Sequence, residues 1–355
     1  MKWSENPFLS SAFIKGGAEL SSSRGWDPLI LVTYDSNKIV GFAPLAMRKR
    51  FGIRFVHFLY GPNFLMDIVV DDEHGEVCIS QVLRTLTKVI KCKFVDLTFS
   101  DESNTLKTLE KFSRAQHVYF ATEAAAFGGH RVVPVTSKWE EFVKMRGKKF
   151  RAEAKRVERK IGELGDWRVT RVEQMQQDPE VCEKILRIDE HSWKKEWLSS
   201  HNFEHDPELA VTLNTLPETA KKESIIKWQV YFLELDGAAI AYVLIFRMKT
   251  TAIIKRTSYV AVYKRFSPGM FILNYAIREL FDEAKVKAID FCADHPYQET
   301  WATLCLPRSD TKIRNGLLLL LMERVLVSTT RTRATMRKKA RWLVKIVNFI
   351  LGFWG

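Results

Sequence analysis

The sequence predicts an α/β (α+β) protein made of two tandem units, each a mixed, twisted sheet flanked by helices. Three observations predict this class. One order of elements, strand, turn, strand, strand, helix, strand, occurs twice along the chain. The apolar and charged fractions, 46% and 27%, are those of an ordinary globular protein. The length of 355 residues suits two domains. The expected boundaries are 1–130 for the first unit, 131–316 for the second and 317–355 for a basic amphipathic C-terminal segment.

In the first unit "PLILVTY" (28–34) reads as a strand, "DSN" as a turn, "IVGFAPLAM" (39–47) as the return strand and "IRFVHFLY" (53–60) as a third. "EVCISQVLRTLTKVIK" (76–91) has helical periodicity, and "FVDLTFS" (94–100) closes the unit as a strand. In the second, "KWQVYFLEL" (227–235) and "AIAYVLIF" (239–246) flank Asp236-Gly237, a hairpin signal because glycine supplies positive φ cheaply. "TAIIKRTSYV" (251–260) is a third strand. A helix follows "FSPGMF" and runs to about Ala284, and "KAIDFC" (287–292) is the last strand.

A basic helix joins the two. Ser137 and Glu140 form a capping-box pattern and Gly165 is a stop signal. Between them "KMRGKKFRAEAKRVERK" (144–160) holds nine basic residues against two acidic. This is either a solvated face or a basic rim for an anionic partner. "VCEKILRIDEHSWKKEWLSS" (181–200) is helical in pattern, with Trp193 and Trp197 at core-like spacing. Residues 324–355 carry eight basic residues and no acidic one, with Trp342, Phe349, Phe353 and Trp354 among them. As a helix, this segment would lie in the interface of an anionic membrane or dock on the protein's own core.

The net charge of +13 points to an anionic partner. Five cysteines without a C-x-x-C pair read as reduced thiols of a cytoplasmic protein. The N-terminus has no apolar signal region, and no apolar run reaches the roughly 20 residues that span a bilayer. The sequence therefore predicts a cytoplasmic, membrane-peripheral protein. "HNFEH" (201–205) fits a zinc-peptidase spacing, but Ser199-Ser200 before it and Asp206-Pro207 after it break the helix that such ligands need. No metal is expected. No zinc-finger, RNP-like or helix-turn-helix signature is present.

In "KRFSPGMF", Ser267 is a candidate N-cap, Pro268 suits the first helical position and Gly269 leaves the backbone bare. The free N–H groups of a first helical turn bind phosphate, and Lys264 and Arg265 add charge just upstream.

The stretches "IVGFAPL" (39–45), "MRGKKFRAEAKRVERK" (145–160), "EHSWKKE" (190–196), "ELDGAAIAY" (234–242), "FSPGMFILNYAI" (266–277) and "IDFCADHPYQETWA" (289–302) together resemble the GNAT acyltransferase superfamily. The resemblance is to its CelD-like branch, which has two units in tandem as Fem-type aminoacyltransferases do. It implies two GNAT-like units, the first degenerate, and acyl-coenzyme A held at Lys264, Arg265, Ser267, Pro268, Gly269 and Met270. Two departures stand out. Ser267 occupies a position where the superfamily prefers glycine, and Gln298 follows Tyr297 where the branch has lysine.

Acyl transfer needs a neutral nucleophile, a proton acceptor and an acid or dipole for the leaving group. Asp290 is nominated as orienter or base, Tyr297 as proton donor and His191 as a further catalytic group. Glu190, Trp193, Lys194 and Arg151 are nominated for the acceptor side. The expected activity is acyl transfer from a coenzyme A thioester to an amine or hydroxyl of a sugar, lipid-linked saccharide or envelope precursor. The rivals are a Fem-type transferase using aminoacyl-tRNA and a non-catalytic binding or scaffold protein.

Overall fold

The computed structural model describes residues 6–60, 65–115, 118–125, 128–173, 180–192, 226–283 and 285–315. Trp193, Lys194, the 201–205 stretch and the C-terminal segment lie outside them. The chain begins with α1 (Ser11–Ser23), then β1 (Asp27–Asp35), β2 (Lys38–Arg50), β3 (Ile53–Phe58) and the short β4 (Val69–Val70). Next come α2 (Gly75–Arg84), β5 (Phe94–Ser100), α3 (Asn104–Ala115), β6 (Tyr119–Ala124) and β7 (His130–Pro134). The second half comprises α4 (Trp139–Met145), α5 (Gly147–Gly162), β8 (Trp167–Glu173), α6 (Val181–Glu190), β9 (Ile226–Leu235), β10 (Ala238–Met248) and β11 (Thr251–Tyr259). It ends with α7 (Pro268–Asp282), β12 (Ala288–Asp290), β13 (Leu304–Leu306) and β14 (Arg308–Arg314).

The described residues form two seven-stranded sheets. One has the order β1-β2-β3-β5-β14-β6, with β4 beside β2, and the other β8-β9-β10-β11-β12-β7-β13. In both, three antiparallel strands are followed by a helix and a strand that pairs parallel to the third: β3 with β5 and β11 with β12. A parallel neighbour needs a crossover. α2 and α7 supply it, so the duplicated order read in the sequence is a duplicated topology.

The last strand of each half is exchanged. β7 precedes the second half in sequence yet pairs with β12 and β13. β14 ends the second half yet fills the matching slot between β5 and β6. The first sheet is therefore not contiguous in the chain, whereas the second takes the consecutive strands β7 to β13, and residues 308–314 belong with the first sheet. The two crossing segments touch: Ala125 N–H donates to the Arg308 carbonyl at 2.9 Å, and Asp101 N–H to that of Pro307 at 3.0 Å. At Gly129 a Cβ would collide with the Leu306 carbonyl oxygen, so the crossing needs glycine.

Period-two alternation builds the core. Trp228, Val230 and Phe232 of β9 and Tyr242, Leu244 and Phe246 of β10 face the first half, where Phe13 meets Phe246 edge-on at 5.1 Å. The alternate residues Tyr231, Leu233, Val243 and Ile245 face α4, α5 and α7.

Three local expectations are corrected. The helix read across 137–165 is two helices, because the chain bends at Gly147 (φ +82°). The Ser137–Glu140 capping box does not form: the N-cap is Lys138, and Ser137 Oγ donates to the Lys138 carbonyl at 3.4 Å. Trp139 sits against Phe142, Phe150 and Phe281, so aromatic packing rather than the cap fixes where the helix starts. Ser267 adopts a left-handed conformation (φ 59°) and makes no side-chain cap bond, because the chain enters α7 from a 3-10 turn over Ala261–Phe266.

Residues 1–130 produced alone lack β14, which leaves β5 and β6 with bare edges. Such a fragment is expected to associate and to show no cooperative melt by circular dichroism. A monomeric fragment with a cooperative transition would contradict the interlocked topology.

Candidate active site

The site is built around the parallel pairing in the second sheet. β12 is in register with β11 for three residues, Thr251 to Ile253 against Ala288 to Asp290. β11 then runs on to Tyr259 while the chain turns away at Phe291, so the two strands part beyond Ile253. A bulge follows at once. Ile254 pairs with Ile245 but Arg256 with Leu244, which leaves Lys255 as the extra residue. Such a bulge re-aims side chains, and here Lys255 Nζ lies 5.5 Å from the Phe8 ring, on the side of the first half.

The N-terminus of α7 lies just after this parting. Pro268 occupies the first turn and no side chain caps it. A Cβ on Gly269 would lie 2.8 Å from Tyr259 Cδ1, so only a bare backbone fits against that ring. Lys264 and Arg265 are exposed beside the turn, while Ser267 and Met270 are partly buried. Lys160, in the last turn of α5, donates to the Arg265 carbonyl at 2.7 Å and ties the basic helix to the turn. Arg151 is exposed on that same helix.

Ile289 of β12 packs toward α7, so Asp290 turns to the opposite face. It is 1% exposed, accepts from the Cys292 N–H at 2.7 Å, and its Oδ2 lies 2.7 Å from His130 Nδ1. His130 is 3% exposed, and its Nε2 has no hydrogen-bond partner among the described residues. Burial and then Asp290 push the Cys292 thiol well above its ordinary value, while Lys255 and Arg308 draw it down.

His130 opens on a pocket of about 80 Å³ between the halves. Its wall includes Asp67, Thr98 and Ser103 from the first half and Arg308 from the exchanged strand. Ser103 Oγ donates to Asp67 Oδ2 at 2.8 Å. Arg308 is 4% exposed, and burial lowers its pKa from the usual guanidinium value.

The other nominated residues are dispersed. His191 is exposed at the C-terminal end of α6, with Nδ1 2.9 Å from the Arg187 carbonyl, and Glu190 beside it is exposed. Tyr297 is 43% exposed in a 3-10 turn over Pro296–Thr300, stacked on His295 and edge-on to Trp301. Gln298 is buried and accepts from the His295 N–H at 2.9 Å, so it holds this turn in shape. Cations reach this loop from Arg131, paired with Asp294 at 2.5 Å and Glu299 at 2.8 Å, and from Arg146, whose Nε donates to the Thr300 carbonyl at 3.1 Å.

Sequence reasoning missed His130, Asp67 and Arg308. Only "GGHRVVP", a histidine entering a strand after a glycine pair, offered a signal. It also missed Asp189, which is buried on α6 and bonds Arg256 Nη2 at 2.7 Å and the Tyr242 hydroxyl at 3.1 Å. No group of three or more histidine, cysteine, aspartate or glutamate residues is placed for a metal among the described residues.

Residues 148–299, which enclose the parted strands, the α7 turn and Asp290, match the family model of the acetyltransferase (GNAT) domain. Over these residues the chain is similar to a GNAT-superfamily domain. No curated protein matches the chain. Among solved structures, FemX aligns with a TM-score of 0.56 at 9% identity, over 86% of this chain and 93% of its own. The C-terminal domain of a protein named as a lysylphosphatidylglycerol synthetase from Agrobacterium fabrum gives 0.55 at 13% identity, over 88% and 95%. L-PGS from Bacillus licheniformis gives 0.51 at 12% identity, over 91% and 97%. At these identities the likeness is one of fold, and it extends beyond the GNAT domain over both halves.

Burial raises the Asp67 carboxyl from 3.8 to about 6. A raised carboxyl holds its proton more tightly in the folded state, so its contribution to stability is full below 3.8 and lost as pH rises through about 6. Asp67→Asn removes that loss. Its melting temperature relative to the unmodified protein is expected to rise between about pH 4 and 6 and then level off, as read by thermal melts across pH.

Proposed function

We propose that the protein is an acyltransferase that moves an acyl group from a coenzyme A thioester to an amine or hydroxyl. One observation carries this reading: the GNAT-domain match encloses a parted β11/β12 pair with the uncapped N-terminus of α7 beside it. The first-turn N–H groups of α7, with Lys264, Arg265 and Lys160 around them, would bind the donor's phosphates. Gly269 keeps the backbone accessible, and Ser267, Pro268 and Met270 complete the turn. The donor's thioester would lie where β11 and β12 part, next to Asp290, which acts as the orienting carboxylate. Tyr297, His191 and Glu190 would border the acceptor's route, and Arg151 the basic rim.

Coenzyme A acetyl thioester is expected to raise the melting temperature of the full chain in a saturable way. Gly269→Ala, which drives a methyl group against Tyr259, is expected to lower the unliganded melt and to reduce the shift that the thioester adds to it. Absence of any shift with thioesters of several acyl lengths would defeat the coenzyme A reading.

A second reading is aminoacyl transfer from tRNA to a lipid or envelope acceptor. It is supported by the two-unit architecture shared with FemX and with a protein named for lysylphosphatidylglycerol synthesis, and by the nine basic residues over 144–160. Binding of aminoacyl-tRNA with steep salt dependence, without a thioester shift, would favour it.

The acceptor class we infer is a sugar, lipid-linked saccharide or envelope precursor, reached at a membrane surface. Among the described residues no helix is long and apolar enough to cross a membrane. The basic, aromatic residues 317–355 would supply peripheral attachment from the cytoplasmic side. Removal of residues 328–355 is expected to abolish co-sedimentation with anionic vesicles. Unchanged partitioning would remove the basis for a lipid-linked acceptor.

A further inference from the structure

We propose that His130 is the catalytic base for an acceptor bound in the pocket between the two halves, and that this acceptor is polyhydroxylated. The inference rests on the acyl-transfer reading and locates its acceptor site.

His130 and Asp290 make a buried pair. A carboxylate can only accept, so His130 Nδ1 is the donor in their 2.7 Å bond, and the neutral ring carries its lone pair on Nε2. A carboxylate placed this way fixes tautomer and orientation and stabilises the imidazolium that forms on protonation. Nε2 is buried and has no partner among the described residues, and His130 is one of the residues that line the pocket. A structural histidine at this depth would be expected to satisfy both nitrogens. An unused lone pair on a pocket-lining histidine is what a base requires before substrate arrives.

The pocket wall defines what would meet it. Asn6, Thr98, Ser100, Glu102, Ser103 and Asp67 bring carboxylate, hydroxyl and amide groups, with Arg308 opposite in character. Leu65, Met66 and Leu306 add apolar surface, and Thr98 and Ser103 already donate to Asp310 and Asp67. Carboxylate and hydroxyl oxygens set among apolar side chains suit the hydroxyls and C–H faces of a ring or chain better than a purely apolar or purely anionic group. Most of these side chains belong to the first half. That half therefore binds the acceptor while the GNAT domain binds the donor, and the exchanged strand carrying Arg308 joins the two.

His130 sits near the donor's expected path. On β7, Val132 is in register with Asp290 of β12, so His130, two residues earlier, lies on the same face near the point where β11 and β12 part. In the transfer step, His130 Nε2 takes the proton from the acceptor's hydroxyl or amine as its O or N bonds to the acyl carbon. The C–S bond of the thioester breaks with its electron pair on sulfur, and the imidazolium returns the proton to the leaving thiolate.

The test uses the full chain in two measurements. In the first, the ring resonances of His130 are assigned by their loss in His130→Gln and followed while glucosamine is added to the unmodified protein. A saturable shift is expected, weakened in Ser103→Ala. No shift at any concentration overturns the pocket assignment whatever the donor is. In the second, thiol release from acetyl-coenzyme A is followed with glucosamine as acceptor. His130→Gln is expected to lower kcat at least about 100-fold, with the donor KM and donor-induced thermal shift unchanged. Asp290→Asn is expected to lower kcat by a smaller factor and to move the acidic limb of the pH profile. A wild-type rate in His130→Gln overturns the base assignment. Absence of a donor-induced thermal shift in the unmodified protein instead defeats the coenzyme A reading, and the resonance measurement still decides the pocket.

Discussion

The structure depends on the exchange of two strands. β7 and β14 each complete the sheet of the other half, and backbone hydrogen bonds hold them on both sides. A strand removed from such a slot exposes two unpaired edges, so each half requires the other for a closed ladder. This constraint sets the relative position of the sheets more firmly than apolar contact alone, which is tolerant of sliding. The edge-on contact of Phe13 with Phe246 and the shared core around Trp228 then fill the space that the exchange defines.

The same constraint builds the pocket. The crossing segments bring His130, Leu306 and Arg308 together at the seam, opposite Asp67 and Ser103. Close passage of two backbones leaves no room for a side chain at Gly129, and carbonyls of the crossing segment are consumed in hydrogen bonds from the first half. What remains facing inward is mixed, with Leu65, Met66 and Leu306 among the polar residues. The seam is therefore a place where buried charge is held by partners drawn from distant parts of the chain, and burial moves the Asp67 carboxyl toward neutrality there.

The proposed donor and acceptor sites fall on different halves for a geometric reason. The parallel pair β11/β12 can part at its C-terminal ends because α7, rather than a tight turn, connects the strands. The equivalent pair β3/β5 in the first half is in register for only two residues, Phe55 and Val56 against Phe94 and Val95. There α2 has Glu76 rather than basic residues in its first turn. An acidic first turn repels phosphate where the first turn of α7, flanked by Lys264 and Arg265, attracts it. One topology used twice can thus be specialised by charge at one helix end.

The sequence by itself determined the elements and their doubled order. Alternation along β9 and β10, the Asp236-Gly237 turn and the spacing of apolar residues over 76–91 are local signals, set by side-chain periods of two and 3.6. Such signals also locate the start of α7 and the strand that ends at Asp290. They failed where packing outbid a local signal, as at the Ser137 capping pattern beside Trp139 and at the left-handed Ser267. Only the tertiary structure decided which strands were exchanged and that Asp290 meets His130, 160 residues away in sequence. Nothing in a residue's neighbours along the chain encodes a partner at that separation. The ladder, the seam and the burial that they impose bring the pair together.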